Sequence, residues 1–198
     1  MPDALTIRPA TPNDAQAIAR IRVQGWRFAY QGLISQGYLD SLSVAEDTER
    51  MRGYLSQFPQ NSPLSRSASV QGSGDGEKQS FILAVRDDAV LGFCRFSAAP
   101  DKTDRAESAV PAGTLNGRLH SLYIDPDTLG QGIGYTLMNH ALSTFAAWGC
   151  ERATLWVLEG NSRAISFYER QGWRCTGATK VDQSFGPCLV EHEMAVQL

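Results

Sequence analysis

Leu122-Tyr123-Ile124-Asp125-Pro126-Asp127-Thr128-Leu129-Gly130-Gln131-Gly132-Ile133-Gly134-Tyr135 is the stretch on which the reading of this chain turns. A short apolar strand runs into a proline turn, and three glycines follow at alternate positions. Beyond them Ile133, Leu137, Met138, Ala141, Leu142, Phe145 and Trp148 recur at helical spacing until Gly149 stops the helix. Side chains at 130, 132 and 134 would keep a ligand away from the backbone; glycine lets it approach. The amides at a helix opening have no intrahelical acceptor, and the helix dipole adds partial positive charge. Together these features suit a pyrophosphate. Two familiar phosphate loops do not fit. A Walker loop needs G-x-x-x-x-G-K-[ST], which does not occur. A dinucleotide fingerprint needs a glycine where Tyr135 stands. Taken alone, the turn is also compatible with a glycine-rich connection that binds nothing.

Outward from this stretch the chain alternates between strands and helices. Leu5-Thr6-Ile7-Arg8 reads as a strand. A helix starts near Asp14, capped by Thr11 or Asn13, and carries Ile18, Ile21 and Val23 inward. Ser43 with Glu46 forms a capping box for a second helix over 44–58. Residues 80–85 and 90–97 read as a hairpin turned at Asp87-Asp88. Strands follow at 118–124 and 153–158, a helix from Asn161 to Gly172, and strands at 173–179 and 189–196. The polar stretches 59–79 and 100–117 read as mobile surface loops. The order predicts a mixed α/β fold with a largely antiparallel sheet flanked by helices, in one domain over 1–198.

The chain has 198 residues, 42% of them hydrophobic and 20% charged, with a net charge of −3. That composition supports a sizeable core and no disorder throughout. No Lys/Arg stripe favours nucleic acid. No window approaches a membrane span, and Met1 to Ala10 lacks an apolar signal core. A soluble, cytoplasmic protein with no nucleic-acid or membrane partner is expected. Cys94, Cys150, Cys175 and Cys188 match no zinc pattern and read as buried free thiols, so no metal is expected. The mild overall acidity tilts the expected acceptor toward a cationic amine.

Three signatures in order carry a family resemblance: the strand Leu122-Tyr123-Ile124, the glycine turn, and Asn161-Ser162-Arg163-Ala164-Ile165-Ser166-Phe167-Tyr168-Glu169-Arg170-Gln171-Gly172-Trp173. The last is similar to N-x-x-A-x-x-F-Y-x-x-x-G-[FW]. Together they resemble the GNAT superfamily of N-acetyltransferases. Ile7-Arg8-Pro9-Ala10, Glu191-His192-Glu193-Met194 and the segment Trp26, Tyr30-Gln31-Gly32, Leu39-Asp40 also look like this family. The resemblance covers nearly the whole chain outside 59–79 and 100–117. It implies a mostly antiparallel central sheet of about six to seven strands flanked by helices. It also implies acetyl-CoA as cofactor and an amine acceptor on a small molecule or peptide, in a monomer or homodimer. A non-catalytic acyl-CoA-binding module is the alternative.

The resemblance assigns coenzyme contacts to Leu122, Tyr123, Ile124, Leu129, Gly130, Gln131, Gly132, Ile133, Gly134, Tyr135, Asn161 and Tyr168. Leu129 departs from the Gln or Arg usual at the first position of the turn. A side-chain contact is lost there, and the backbone N–H is retained. Tyr168 matches the family's tyrosine beside the coenzyme sulfur; its phenol is either a general acid or a packing partner of Phe167. Asn161 is both helix cap and expected pantetheine contact. Arg163 is either a phosphate contact or a solvated arginine. Many relatives carry a glutamate base where Arg118 stands, and arginine cannot take that role. His120 lies two residues on, on the same face; it is a candidate base, or it only packs and hydrogen-bonds. Trp26, Tyr30, Tyr38 and Phe96 are candidates to line the acceptor pocket, with core packing as the other reading.

Overall fold

In the computed structural model the described residues are 4–57, 78–100, 115–182 and 189–198. The elements are β1 (Thr6–Pro9), α1 (Ala15–Ala29), α2 (Gln36–Ser41), α3 (Val44–Gln57), β2 (Lys78–Arg86), β3 (Ala89–Pro100), β4 (Leu115–Ile124), α4 (Ile133–Ala147), β5 (Cys150–Leu158), α5 (Ser162–Arg170), β6 (Arg174–Asp182) and β7 (Leu189–Gln197). The strands form one seven-stranded sheet in the order β1-β2-β3-β4-β5-β7-β6. Every pairing is antiparallel except β4 with β5. The connection between those two parallel strands is α4, as a parallel crossover requires.

The sheet buries a different cluster on each face. Ile82, Cys94, Phe96, Leu119 and Leu155 pack with Ile133, Leu137 and Phe145 of α4. Phe81, Leu83, Val85 and Phe93 pack with Ile18 and Ile21 of α1 and Leu55 of α3. Strand alternation sorts these residues: odd positions of β2 face α1, even positions face α4. Close packing leaves no room at two strand glycines. A Cβ at Gly92 would lie 2.8 Å from the Tyr123 carbonyl, and one at Gly117 would lie 2.7 Å from the Phe145 ring.

Several sequence expectations shift. The stretches 59–79 and 100–117 lie mostly outside the described residues. Their ends, however, belong to strands: Lys78 and Gln79 to β2, Pro100 to β3, and Leu115 to Gly117 to β4. An additional short helix, α2, appears; Ser35 Oγ accepts from the Tyr38 N–H, and Leu39 is fully buried. Thr11 caps a single 3-10 turn at Pro12–Asp14 before α1, closed by Asp14, whose carboxylate also pairs with Arg8. Ser43 Oγ accepts from the Glu46 N–H, the first half of the expected capping box. Cys94 and Cys150 are buried free thiols, but Cys175 is exposed on the edge strand β6; Cys188 lies outside the described residues. No described helix is long and apolar enough to cross a membrane.

Candidate active site

β4 and β5 pair only from Leu115 to Leu119, opposite Cys150 to Leu155, and then part company. The cause lies in β4 itself. Arg95 pairs with Ser121 and Phe96 with Leu119, so His120 is an extra residue with no partner in β3. Such a bulge bends the strand that carries it. β5 instead stays paired with β7 through Leu158. A wedge-shaped slot opens between Ser121–Ile124 and the second half of β5.

The slot presents backbone polar groups. The Asp125 N–H donates to Leu91 O at 2.8 Å, on the β3 side. Strand alternation then turns the N–H and C=O of Ile124 and Leu122 the other way, into the slot. No described strand pairs with them there. An extended ligand can take the place of the missing strand segment.

The glycine turn closes one end. Gly130 and Gly132 have φ of +82° and +79°, and among the described residues a Cβ at either would meet no atom beyond its chain neighbours within 4 Å. The left-handed conformation favours glycine at both, and the space beyond them is open for a ligand. The first helical bond of α4 runs from Thr136 N–H to Gly132 O at 3.0 Å. The amides of Ile133, Gly134 and Tyr135 precede it and have no acceptor in the helix. Leu129 is extended, its N–H 3.5 Å from Pro126 O. Gln131 turns away, its Oε1 accepting from Arg86 at 2.9 Å.

A cleft of about 420 Å³ joins these parts. It is lined by the turn, except Gln131, by β4 from His120 to Ile124, and by Asn161 and Tyr168. Asn161 Oδ1 accepts from the Ala164 N–H at 3.2 Å and so caps α5, which leaves its amide group for a ligand. Tyr168 packs against Phe167 and Trp173, with ring centroids 5.5 and 6.2 Å away. Burial pushes its phenol well above the ordinary value, and the neighbouring Cys94 and Tyr123 push it further. Tyr168 therefore keeps its proton at neutral pH. Arg163 also lines the cleft, its guanidinium 5.4 Å above the exposed Phe28 ring.

His120 stands at the other end. Its Nε2 is 2.8 Å from Ser97 Oγ. Desolvation by the protein atoms around it, then the charges of Arg95 and Arg118, lower its pKa from 6.5 to about 4. His120 is neutral at pH 7 and is a weak base. The unfolded chain takes up this proton near pH 6.5 and the folded chain near pH 4. The stability that the neutral form contributes is complete above the former pH and is lost as pH falls through the latter. Imidazole resonances followed by NMR should show His120 titrating below pH 5, and His120→Ala should flatten the acid limb of the stability curve. A midpoint near 6.5 would contradict this environment.

The four aromatic candidates divide. Tyr30 lines the cleft. Trp26 is 8% exposed and lies behind it, its Nε1 donating to Tyr123 Oη at 2.8 Å. Tyr38 packs on Trp26 at 6.1 Å and does not line the cleft. Phe96 is a correction: it is 0% exposed, on the α4 face, with Phe145 and Trp148 rings at 5.1 and 5.6 Å. Alternation along β3 places it with Cys94 and Ala98, away from α1 and His120. Phe96→Ala should cost about 3–5 kcal/mol in a denaturant titration and leave acceptor KM unchanged below the melting range.

Sequence reading missed Gly25, Ser97, Trp156 and Glu191. At Gly25 a Cβ would sit 3.1 Å from the Tyr123 ring, so glycine lets α1 close on β4. Ser97 fixes His120, and Trp156 and Glu191 complete the cleft wall. Alternation on β3, β5 and β7 hints at such residues; only the register selects them.

Comparison with known proteins bears on this geometry. The family model described as "Acetyltransferase (GNAT) family" matches residues 45–173. A peptidyl-lysine N-acetyltransferase, YjaB, of Salmonella typhimurium is 41% identical over 64 residues, 32% of this chain and 41% of that protein. The uncharacterized N-acetyltransferase YuaI of Bacillus subtilis is 24% identical over 83% of this chain and 78% of its own length. The chain thus spans under half the length of the YjaB relative it matches. In overall fold the chain is similar to the PaiA N-acetyltransferase of Thermoplasma acidophilum, solved in complex with coenzyme A. The TM-score is 0.64 at 20% identity, covering 99% of this chain and 100% of that one.

Proposed function

The chain belongs to the GNAT acetyltransferase family, and from that premise we propose that it transfers the acetyl group of acetyl-CoA to a primary amine, on a small molecule or a peptide. One observation carries this reading: the glycine turn, the splayed backbone of β4 and the protonated Tyr168 line a single cleft. The residues fit the coenzyme. Free amides at the start of α4 and the open space over Gly130 and Gly132 suit a pyrophosphate. The unpaired backbone of Leu122 and Ile124 suits the two amides of a pantetheine arm. Leu129 offers no polar side chain, so this reading rests on the backbone of the turn.

The coenzyme supplies an acetyl thioester, an activated acyl donor. The chain's own groups meet the other demands of aminolysis. The preorganised N–H groups of β4 face the slot, where they can hold negative charge developing on a carbonyl oxygen. Tyr168 retains a proton to give to a leaving thiolate. A thiolate desolvated in the same slot is itself more basic, which favours that transfer despite the raised pKa of the phenol. His120 is neutral and hydrogen-bonded to Ser97; it serves as an acceptor for the amine N–H and contributes little as a proton sink. The amine loses its proton mainly to solvent. Thiol release from acetyl-CoA, measured against a panel of amines and peptides, tests the proposal. Acceptor-dependent release is expected. Its complete absence, with acetyl-CoA still bound, would make the protein an acyl-CoA-binding module.

A further inference from the structure

We propose that the acceptor is an amino carboxylate: its carboxylate docks on Arg95 and Arg118, and its amine points to the slot beside His120. This deepens the acetyl-transfer reading and rests on it.

The inference comes from which charges the sheet gathers on its α1 face. Ser97 pairs with Arg118 and Arg95 with Ser121, and the bulge sets His120 between them. Arg118 pairs with Thr154 of β5, two residues from Arg152, and β7 brings Glu193 opposite Trp156. Arg95 and Arg118 thus stand close enough to His120 to act on its charge, and Arg152 shares Glu193 with Arg118; His120 lines the cleft, and the three arginines lie outside its lining. Glu193 is the one carboxylate among the described residues that pairs with any of them. It lies 3.9 Å from Arg118 and 3.7 Å from Arg152, longer than a hydrogen bond, and it also accepts from Thr176 Oγ1 at 3.0 Å. Glu191, the glutamate in the cleft wall, pairs with Lys180 at 2.6 Å. Arg95 has no carboxylate partner among the described residues. Its Nη1 donates to Tyr54 Oη at 2.9 Å, and its guanidinium lies 5.3 Å from that ring. This fixes the group in place, and no carboxylate among the described residues compensates its charge.

Among the described residues, positive charge therefore exceeds negative charge beside His120, where the acceptor must arrive. The field acts on His120, whose protonation Arg95 and Arg118 both oppose. It opposes the approach of a protonated amine in the same way until the acceptor's own carboxylate pairs with the arginines. The same field repels a second cation on the acceptor, such as a polyamine or a lysine-rich peptide, and attracts a carboxylate. A guanidinium accepts a carboxylate through two parallel bonds. The local charge thus points opposite to the net acidity of the chain.

The test compares α-amino acids with their carboxamides, using thiol release from acetyl-CoA with rates referred to the free-amine fraction. The wild-type protein is set beside Arg95→Gln and Arg118→Gln. The best acid should exceed its amide in kcat/KM by about tenfold or more, the scale of one charge-assisted hydrogen bond. Each variant should bring the ratio toward one, with acetyl-CoA affinity unchanged as the check on folding. Equal or better turnover of the amides, or a preference that survives both substitutions, would overturn the proposal. No turnover of any amino acid or carboxamide while other amines or peptides are acetylated would also overturn the proposal; no release with any amine or peptide would instead overturn the acetyl-transfer reading. Calorimetry of the same amino acids into the coenzyme A complex then decides the anion site: arginine-dependent binding sustains it, and none removes it.

Discussion

Gly132→Asp is expected to weaken acetyl-CoA binding by about 100-fold or more while the protein stays folded. Gly132 is the residue just before α4, at φ +79°. A carboxylate there meets the pyrophosphate at close range. At an effective dielectric of about 20, two unit charges roughly 4 Å apart repel by about 4 kcal/mol, and the pyrophosphate also loses its place over the free amides. The fold has less at stake. The left-handed conformation costs an L residue about 1–2 kcal/mol, least for Asp and Asn. An acidic group at a helix N-terminus returns about 0.3–1 kcal/mol. Among the described residues no atom beyond the chain neighbours lies within 4 Å of the new Cβ. The melting temperature should therefore move by about 5 °C or less, since 1 kcal/mol shifts a chain of this size by about 2–4 °C. Calorimetric titration beside a thermal scan separates the two effects. An affinity within threefold of wild type would mean that the turn is not the phosphate cradle.

Tyr168→Phe is expected to lower kcat by about 100-fold, the middle of the range for a general acid, and to leave acetyl-CoA affinity within about twofold. The ring contacts with Phe167 and Trp173 survive the change, so packing is kept. The hydroxyl is the only group removed. The phenol is neutral in the folded protein across the physiological range, its pKa raised by burial. Ionisation of Tyr168 would produce an alkaline limb in the pH–rate profile, and the raised pKa puts that limb above the physiological range. Unchanged turnover in the variant would show that the thiolate leaves without this proton.

These two effects rest on features that local sequence displays. The glycine turn and α4 were legible because a helix start, a helical apolar stripe and a terminating glycine are all short-range signals. Asn161 and Tyr168 were legible for the same reason: cap and phenol sit on one short helix. The slot was not. It exists because His120 is unpaired opposite the step from Arg95 to Phe96, and a bulge is a property of two strands, not of one. Phe96 was misplaced because Phe93, Cys94 and Phe96 are all apolar and β3 is buried on both faces. Alternation then carries no sign. α2 escaped because six residues are too few to show a period. The arginine cluster was invisible because β3, β4 and β5 each contribute one member. The overall charge of −3 even pointed the other way.

In the proposed function the parted strands and the glycine turn form one coenzyme site with Tyr168 at its reacting end. A crystal structure of the protein with coenzyme A tests it most directly. The pyrophosphate should lie on the amides of Gly130 to Tyr135. The pantetheine should pair with the backbone of Leu122 and Ile124. The sulfur should lie within hydrogen-bonding reach of Tyr168 Oη, at about 4 Å or less for a sulfur acceptor. A coenzyme bound outside the slot, or a sulfur beyond the reach of Tyr168, would contradict it.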